Sequence, residues 1–179
     1  MNPKLTSLGL RPSQLSVMIR EVGDLYDKFK VLSGEGFRAS EVFLEVEPQP
    51  DLKLRGSIDA VFDEEEDDVR LVDWKTGGLY ETDQQLGFYA MLWALDRGRL
   101  PRTVEAVSIG SGERMSAHPT EGEITTIARD VANLVADVRA AFALDRSQIE
   151  RVAGPWCRFC VQLDVCDEGM AAVNISGSG

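Results

Sequence analysis

Histidine is almost missing from this chain, basic residues are in deficit, and cysteine is confined to one short stretch. The single histidine, His118, stands before Pro119 and reads as a loop residue rather than a ligand. Cys157, Cys160 and Cys166 are too few and too close for a disulfide framework, and an odd, tight cluster reads better as a set of ligands. No apolar run approaches the ~20 residues that a membrane span needs. The polar start Met1-Asn2-Pro3-Lys4 does not read as a signal peptide. A soluble, cytoplasmic protein is the expectation. The shortage of cations is large: 19 Lys and Arg against 30 Asp and Glu leave a net charge of -11. A domain that grips nucleic acid unaided usually has a basic surface. Much of the excess is local, however, in Asp63-Glu64-Glu65-Glu66-Asp67-Asp68, which reads as a solvated hairpin tip and not as a metal site. The balance favours a basic partner subunit or a contact that depends on a metal.

What is present suits one compact domain over 1–179, since 179 residues with 44% apolar content can build a single core. From Pro12, the residues Leu15, Met18, Val22, Leu25, Tyr26, Phe29 and Leu32 recur at helical spacing, and Gly34-Glu35-Gly36 stops the helix. Strands follow over 41–47, 54–62 and 69–75, the last two joined by the acidic hairpin. Gly77-Gly78 breaks the pattern, and a second helix runs from Thr82 to about Leu95. A fourth strand covers 103–109 and ends at Gly110-Ser111-Gly112. Thr120 and Glu123 have the spacing of a capping box before a helix striped with Ile124, Ile127, Val131, Leu134, Val135, Val138 and Phe142. The expected parts are a core over 11–150, a cysteine-rich segment over 151–170 and a flexible tail over 171–179.

The chemistry gathers on two strands. Asp73 and Lys75 are two apart in an extended segment and so share a face. Pairing through the acidic turn brings Asp59 to the same patch, and Gly56 three residues earlier permits close backbone approach. Two carboxylates and a lysine suit a hard divalent cation with a phosphate ester, because Mg²⁺ or Mn²⁺ needs only one or two carboxylates and takes substrate oxygens elsewhere. The plain alternative is a cross-strand salt bridge on a solvated face. Gln85 and Tyr89 fall on one side of the second helix. They suit a joint role there, although Thr82-x-x-Gln85 also has the form of a capping box and Tyr89 could be core. Cys157-x-x-Cys160 with Cys166 suits Zn²⁺ or an iron–sulfur group but falls short of a four-thiolate shell. Three reduced thiols in a small apolar knot are the alternative.

Gly56-x-x-Asp59, Val72-Asp73-Trp74-Lys75-Thr76-Gly77 and Gln85-Leu86-x-x-Tyr89-Ala90, in this order, resemble the RecB-type nuclease module of the PD-(D/E)XK superfamily. The resemblance implies an α/β fold with an αβββαβ core, a central mixed sheet flanked by helices, and a C-terminal cysteine-rich segment. It implies that Asp59, Asp73 and the Trp74 carbonyl hold Mg²⁺ or Mn²⁺, that Lys75 is catalytic, and that Gln85 and Tyr89 support them. Such modules usually carry a further acid or histidine on the helix before the first strand, for which Glu21, Glu45 and Glu47 are candidates here. The segment around Cys157, Cys160 and Cys166 is similar to the iron–sulfur staple of AddB-type subunits and CRISPR adaptation exonucleases. That implies a [4Fe–4S] cluster, with Zn²⁺ as the alternative, although the fourth cysteine is missing. The implied function is a metal-dependent DNA exonuclease of repair, recombination or defence. Its partners would be single-stranded DNA or DNA ends and a helicase or other subunit. The alternative is a catalytically impaired end-binding or scaffold subunit of a helicase–nuclease complex.

Overall fold

The computed structural model describes residues 11–80, 82–144 and 151–176. The N-terminal leader and the last three residues of the expected tail lie outside them. Two compact units are present, 1–131 and 132–179.

The first unit is built on a five-stranded sheet in the order β1-β2-β3-β4-β5. The strands are β1 (Phe37–Gln49), β2 (Leu52–Asp63), β3 (Val69–Lys75), β4 (Thr103–Ser108) and β5 (Arg114–Ala117). Helix α1 (Pro12–Ser33) precedes the sheet, and α2 (Thr82–Arg97) links β3 to β4. Only β3 and β4 run parallel; the other neighbours are antiparallel. This is the mixed α/β sheet flanked by helices that the sequence pattern implies. A parallel pair needs a crossover, and α2 supplies it. Every residue of β4 is buried, as expected of a strand covered on both faces.

One face of the sheet packs Ile58, Val61, Leu71, Val104 and Ala106 against Leu86, Ala90 and Trp93 of α2. The other face carries Ala60, Phe62, Val72 and Val107, with Leu32 of α1 against them. Helix α1 contributes no fully buried residue, and Val22 and Tyr26 of its apolar stripe are exposed. It is fixed chiefly at its C-terminal half. There, Phe29 meets Trp74 edge to face at 4.9 Å, Lys28 donates to the Gly110 carbonyl at 2.7 Å, and Arg114 donates to the Leu32 carbonyl. The acidic run forms a hairpin tip with a short 3-10 turn at Glu65–Asp67, and most of it is exposed. At Gly36, where φ is +81°, a Cβ would stand 2.7 Å from the Asp63 carbonyl oxygen, so only glycine lets β1 begin here.

The expected strands over 41–47 and 54–62 fall within β1 and β2, β3 has the expected bounds, and β4 ends one residue before the expected 109. β1 is longer than 41–47 and continues through Pro48, which an edge strand tolerates. β5 was not expected: its four mostly exposed residues carry no alternation. The Thr120–Glu123 box forms, with Thr120 N–H donating to Glu123 at 2.9 Å and Glu123 N–H to the Thr120 hydroxyl at 3.3 Å. It opens α3 (Glu121–Phe142), whose apolar stripe leaves Leu134, Val138 and Phe142 exposed.

In the second unit, 3-10 turns at Pro155–Phe159 and Leu163–Val165 pack with α4 (Asp167–Ser176). α4 continues through Ser176, into the span expected as a tail, although its small residues gave no helical period in the sequence. Among the described residues, no helix is long and apolar enough to cross a membrane.

Glu105, 4% exposed, ties the sheet together across three strands. Arg70 lies 3.3 Å from one carboxylate oxygen, and Arg114 and the Ser116 hydroxyl donate to the other at 2.9 and 3.1 Å. Removing the carboxylate strands two guanidinium groups, one of them largely buried. Glu105→Ala is expected to cost about 3 kcal/mol, measured as a lower urea midpoint with unchanged slope.

Candidate active site

β2 and β3 pair from Asp63↔Val69 to Ala60↔Val72 and no further. Beyond this point β2 stays with β1, and β3 stays with β4. The strands therefore fork, and Asp59 and Asp73 stand at the fork. Parting leaves the Trp74 N–H without a ladder partner, and Asp59 Oδ2 accepts it at 2.8 Å.

Asp73 is 4% exposed and anchors a bonded cluster. Lys75 Nζ lies 2.7 Å from Asp73 Oδ2 and donates to Gln85 Oε1 at 2.8 Å. The Gln85 amide donates to Asp73 Oδ1 at 3.2 Å and to the Tyr89 hydroxyl at 2.8 Å. Asp73, Lys75, Gln85 and Tyr89 are thus brought together, while the Trp74 ring turns to the other face against Phe29. The strand alternation and the shared helix face drawn from the sequence both hold. The capping-box alternative for Gln85 does not, because its side chain is spent in the cluster and the Thr82 hydroxyl sits 3.1 Å from Met115 Sδ. Gly56 permits this packing: a Cβ there would meet Leu92 Cδ1 at 2.7 Å and Tyr89 Cε1 at 3.3 Å.

Burial raises the Asp73 carboxyl above its ordinary 3.8; Lys75 opposes the shift and Asp59 adds to it. Burial likewise raises the Tyr89 hydroxyl. Asp73 Oδ2 is buried and meets Lys75 Nζ at 2.7 Å and no other described donor. A buried carboxylate oxygen with an uncommitted lone pair is suited to a hard cation. No three His, Cys, Asp or Glu side chains among the described residues are grouped to hold a metal. Two carboxylates nevertheless satisfy Mg²⁺ or Mn²⁺, which keep water and substrate oxygens in their other positions, so Asp59 and Asp73 fit such an ion.

The candidates for a further acidic ligand are placed elsewhere. Glu45 is held by Lys53 at 2.9 Å and Arg55 at 2.6 Å, Glu47 is exposed toward the far end of β1, and Glu21 is exposed on α1. Sequence reasoning missed Glu41. Ser40 pairs with Ala60 and Val42 with Ile58, so Glu41 stands opposite Asp59, in a left-handed conformation with φ of +51°. A register shift between Val46 and Gln49 hides this pairing from any count back from the turn. His118 is exposed beyond β5, with Nδ1 3.0 Å from the Arg102 carbonyl oxygen, and takes no part in the site.

In the second unit the three cysteines are free thiols. Cys157 Sγ accepts the Gly154 N–H and Cys166 Sγ the Gly169 N–H, each at 3.4 Å, while Cys160 is exposed. Three thiols are one short of the four that a [4Fe–4S] cluster or a Cys₄ zinc site takes, so they do not by themselves fit such a group.

A forked mixed sheet with Asp-x-Lys on one branch and Gln-x-x-x-Tyr across it is a nuclease-type core. The chain belongs to the PD-(D/E)XK nuclease superfamily, whose family model matches residues 8–167. Members of this superfamily generally hydrolyse phosphodiester bonds and typically use Mg²⁺ or Mn²⁺. No curated protein matches the chain. A solved structure described as the crystal structure of SSO0001 aligns with 86% of this chain and 71% of its own, at 14% identity and a TM-score of 0.42.

The raised Asp73 carboxyl carries a sign that can be measured. Folding favours its protonated form, so its contribution is most favourable below the ordinary value of 3.8 and is lost as pH rises through the raised value. Urea midpoints of metal-free protein should show this loss as pH rises above 3.8. Asp73→Asn should remove that component of the pH slope.

Proposed function

We propose that this protein is a metal-dependent DNA nuclease of RecB type, an exonuclease acting on single strands or ends in repair, recombination or defence. The observation that carries the reading is the single bonded cluster of Asp73, Lys75, Gln85 and Tyr89 beside Asp59 at the fork. Asp59, Asp73 and the Trp74 carbonyl would hold the cation. A bound Mg²⁺ or Mn²⁺ supplies acidity to a water and offsets charge on the phosphate. Lys75 keeps a proton at Nζ, next to where charge builds on the phosphate oxygens. Gln85 orients both Asp73 and Lys75, and Tyr89 holds Gln85.

The net charge of -11 favours a second reading, an end-binding or scaffold subunit that lacks turnover. One comparison separates the two. With Mn²⁺ or Mg²⁺ and end-labelled linear or single-stranded DNA, wild type should cleave and Lys75→Ala should be slower by roughly a hundredfold or more. Equal cleavage by both preparations would mark a contaminant and remove the catalytic claim. Retention of DNA without metal-dependent hydrolysis would favour the scaffold.

Metal holding has its own readout. Mn²⁺ should raise the Tm of wild type by mass action and leave Asp73→Ala unmoved. The cysteine segment would hold an iron–sulfur cluster or Zn²⁺ only with a ligand from outside the described residues. Iron and zinc content after anaerobic purification decides that point.

A further inference from the structure

A pocket of about 560 Å³ opens at the fork on the α1 side of the sheet. Two edge-to-face aromatic pairs line it: Phe29 with Trp74 at 4.9 Å, and Phe37 with Phe62 at 5.8 Å. Asp59 belongs to its wall while Asp73, Lys75, Gln85 and Tyr89 do not, so the pocket meets the candidate active site at Asp59 alone. Glu41 stands there too, opposite Asp59 and held in a backbone conformation that a glutamate rarely adopts. Phe37 is 60% exposed, an apolar ring left at the entrance and not spent on the core.

The lining decides what kind of group fits. Its charged residues are the two carboxylates, and no lysine or arginine lines it among the described residues. Such a pocket repels phosphate. Phe62 is buried with Arg70 over its ring, so the rings left to stack on include Phe37 and the half-buried Trp74, and a flat, uncharged ring with N–H donors meets these together with carboxylate oxygens as acceptors. We infer that the pocket takes an unstacked nucleobase of the strand whose phosphodiester lies at Asp59 and Asp73. The identity of the strand rests on the nuclease reading; the preference for a neutral ring over an anion rests on the lining alone. Duplex DNA could fill the pocket only by extruding a base, at an unpairing cost that single strands and frayed ends avoid. Strandedness would then be selected by a hole for a base as well as by the route of the backbone.

The test compares binding of labelled oligothymidylate with that of a fully abasic strand of equal length, using Lys75→Ala protein in Mn²⁺ so that cleavage does not intrude. The base-bearing strand should bind roughly tenfold more tightly, the size of a lost base–aromatic stack. Phe37→Ala should weaken thymidylate binding by a similar factor and leave the abasic strand unchanged. Phe37→Tyr, which keeps a stackable ring, should bind like the parent. The inference is overturned if the two strands bind alike, if Phe37→Ala weakens both equally, if Phe37→Tyr behaves like the alanine variant, or if neither strand binds. A homodimer lost on Phe37→Ala with strand binding unchanged would assign the pocket to a second copy of this chain. These outcomes are independent of hydrolysis, so failure of the base pocket and failure of the nuclease reading are told apart.

Discussion

Where β2 and β3 separate, the Trp74 N–H would be an unsatisfied donor, and the Asp59 carboxylate takes it at 2.8 Å. Leaving such a group buried and unpaired costs about 1–3 kcal/mol, so a fork without that carboxylate would tend to close. Closure would continue the β2–β3 ladder past Ala60↔Val72 and bury the ground between Asp59 and Asp73. Asp59 therefore holds the sheet open with one oxygen and presents the rest of its carboxylate to the space it creates. The positions of Asp73, Lys75 and the aromatic pocket all follow from that opening.

The second constraint is the buried carboxylate of Asp73, whose desolvation outweighs its lysine partner. Glutamine at 85 suits this problem in a way that its isosteres do not. One amide donates to Asp73 while its oxygen accepts from Lys75. Glutamate would repel Asp73, and leucine would leave Asp73 Oδ1 and one Lys75 hydrogen without their Gln85 partner. Tyr89, one turn on, accepts the second amide hydrogen and fixes the rotamer. The absent Cβ of Gly56 is what lets this helix face come down on the sheet. Part of the carboxylate cost nevertheless remains at Asp73 Oδ2. A carboxylate kept buried inside a bonded network is where a functional group is expected to violate the rules of a stable core.

Much of this was legible because it depends on local periodicity. Asp73 and Lys75 share a face by the alternation of one strand, and Gln85 and Tyr89 by one helical turn. β3 kept its expected bounds because Val69, Leu71, Val72 and Trp74 lie between an acidic turn and a glycine pair. What escaped depends on long-range register. The shift between Val46 and Gln49 decides which β1 residue faces Asp59, and it puts Glu41 there where an unshifted count back from Gln49↔Leu52 would put Val42. β5 escaped because an edge strand of four exposed residues is held only by its neighbour. The aromatic pocket escaped for a similar reason. Phe29, Phe37, Phe62 and Trp74 come from four different elements and look like ordinary core residues in each.

The charge balance, which argued against nucleic acid when summed over the chain, changes meaning once its distribution is known. The longest acidic run is at a hairpin tip, where Arg99 donates to the Asp67 carbonyl and Arg38 lies 3.4 Å from Asp63. At the fork, by contrast, Lys75 pairs with Asp73 alone, and the lining of the adjoining pocket has carboxylates and no lysine or arginine among the described residues. On the proposed reading, a polyanion gains little there from counterion release, the term that dominates binding to a basic surface. On that reading attraction would come from a divalent ion at the carboxylates and from stacking of a base. Without the ion the same carboxylates oppose the strand, so a single group would supply both the chemistry and most of the electrostatic licence to bind.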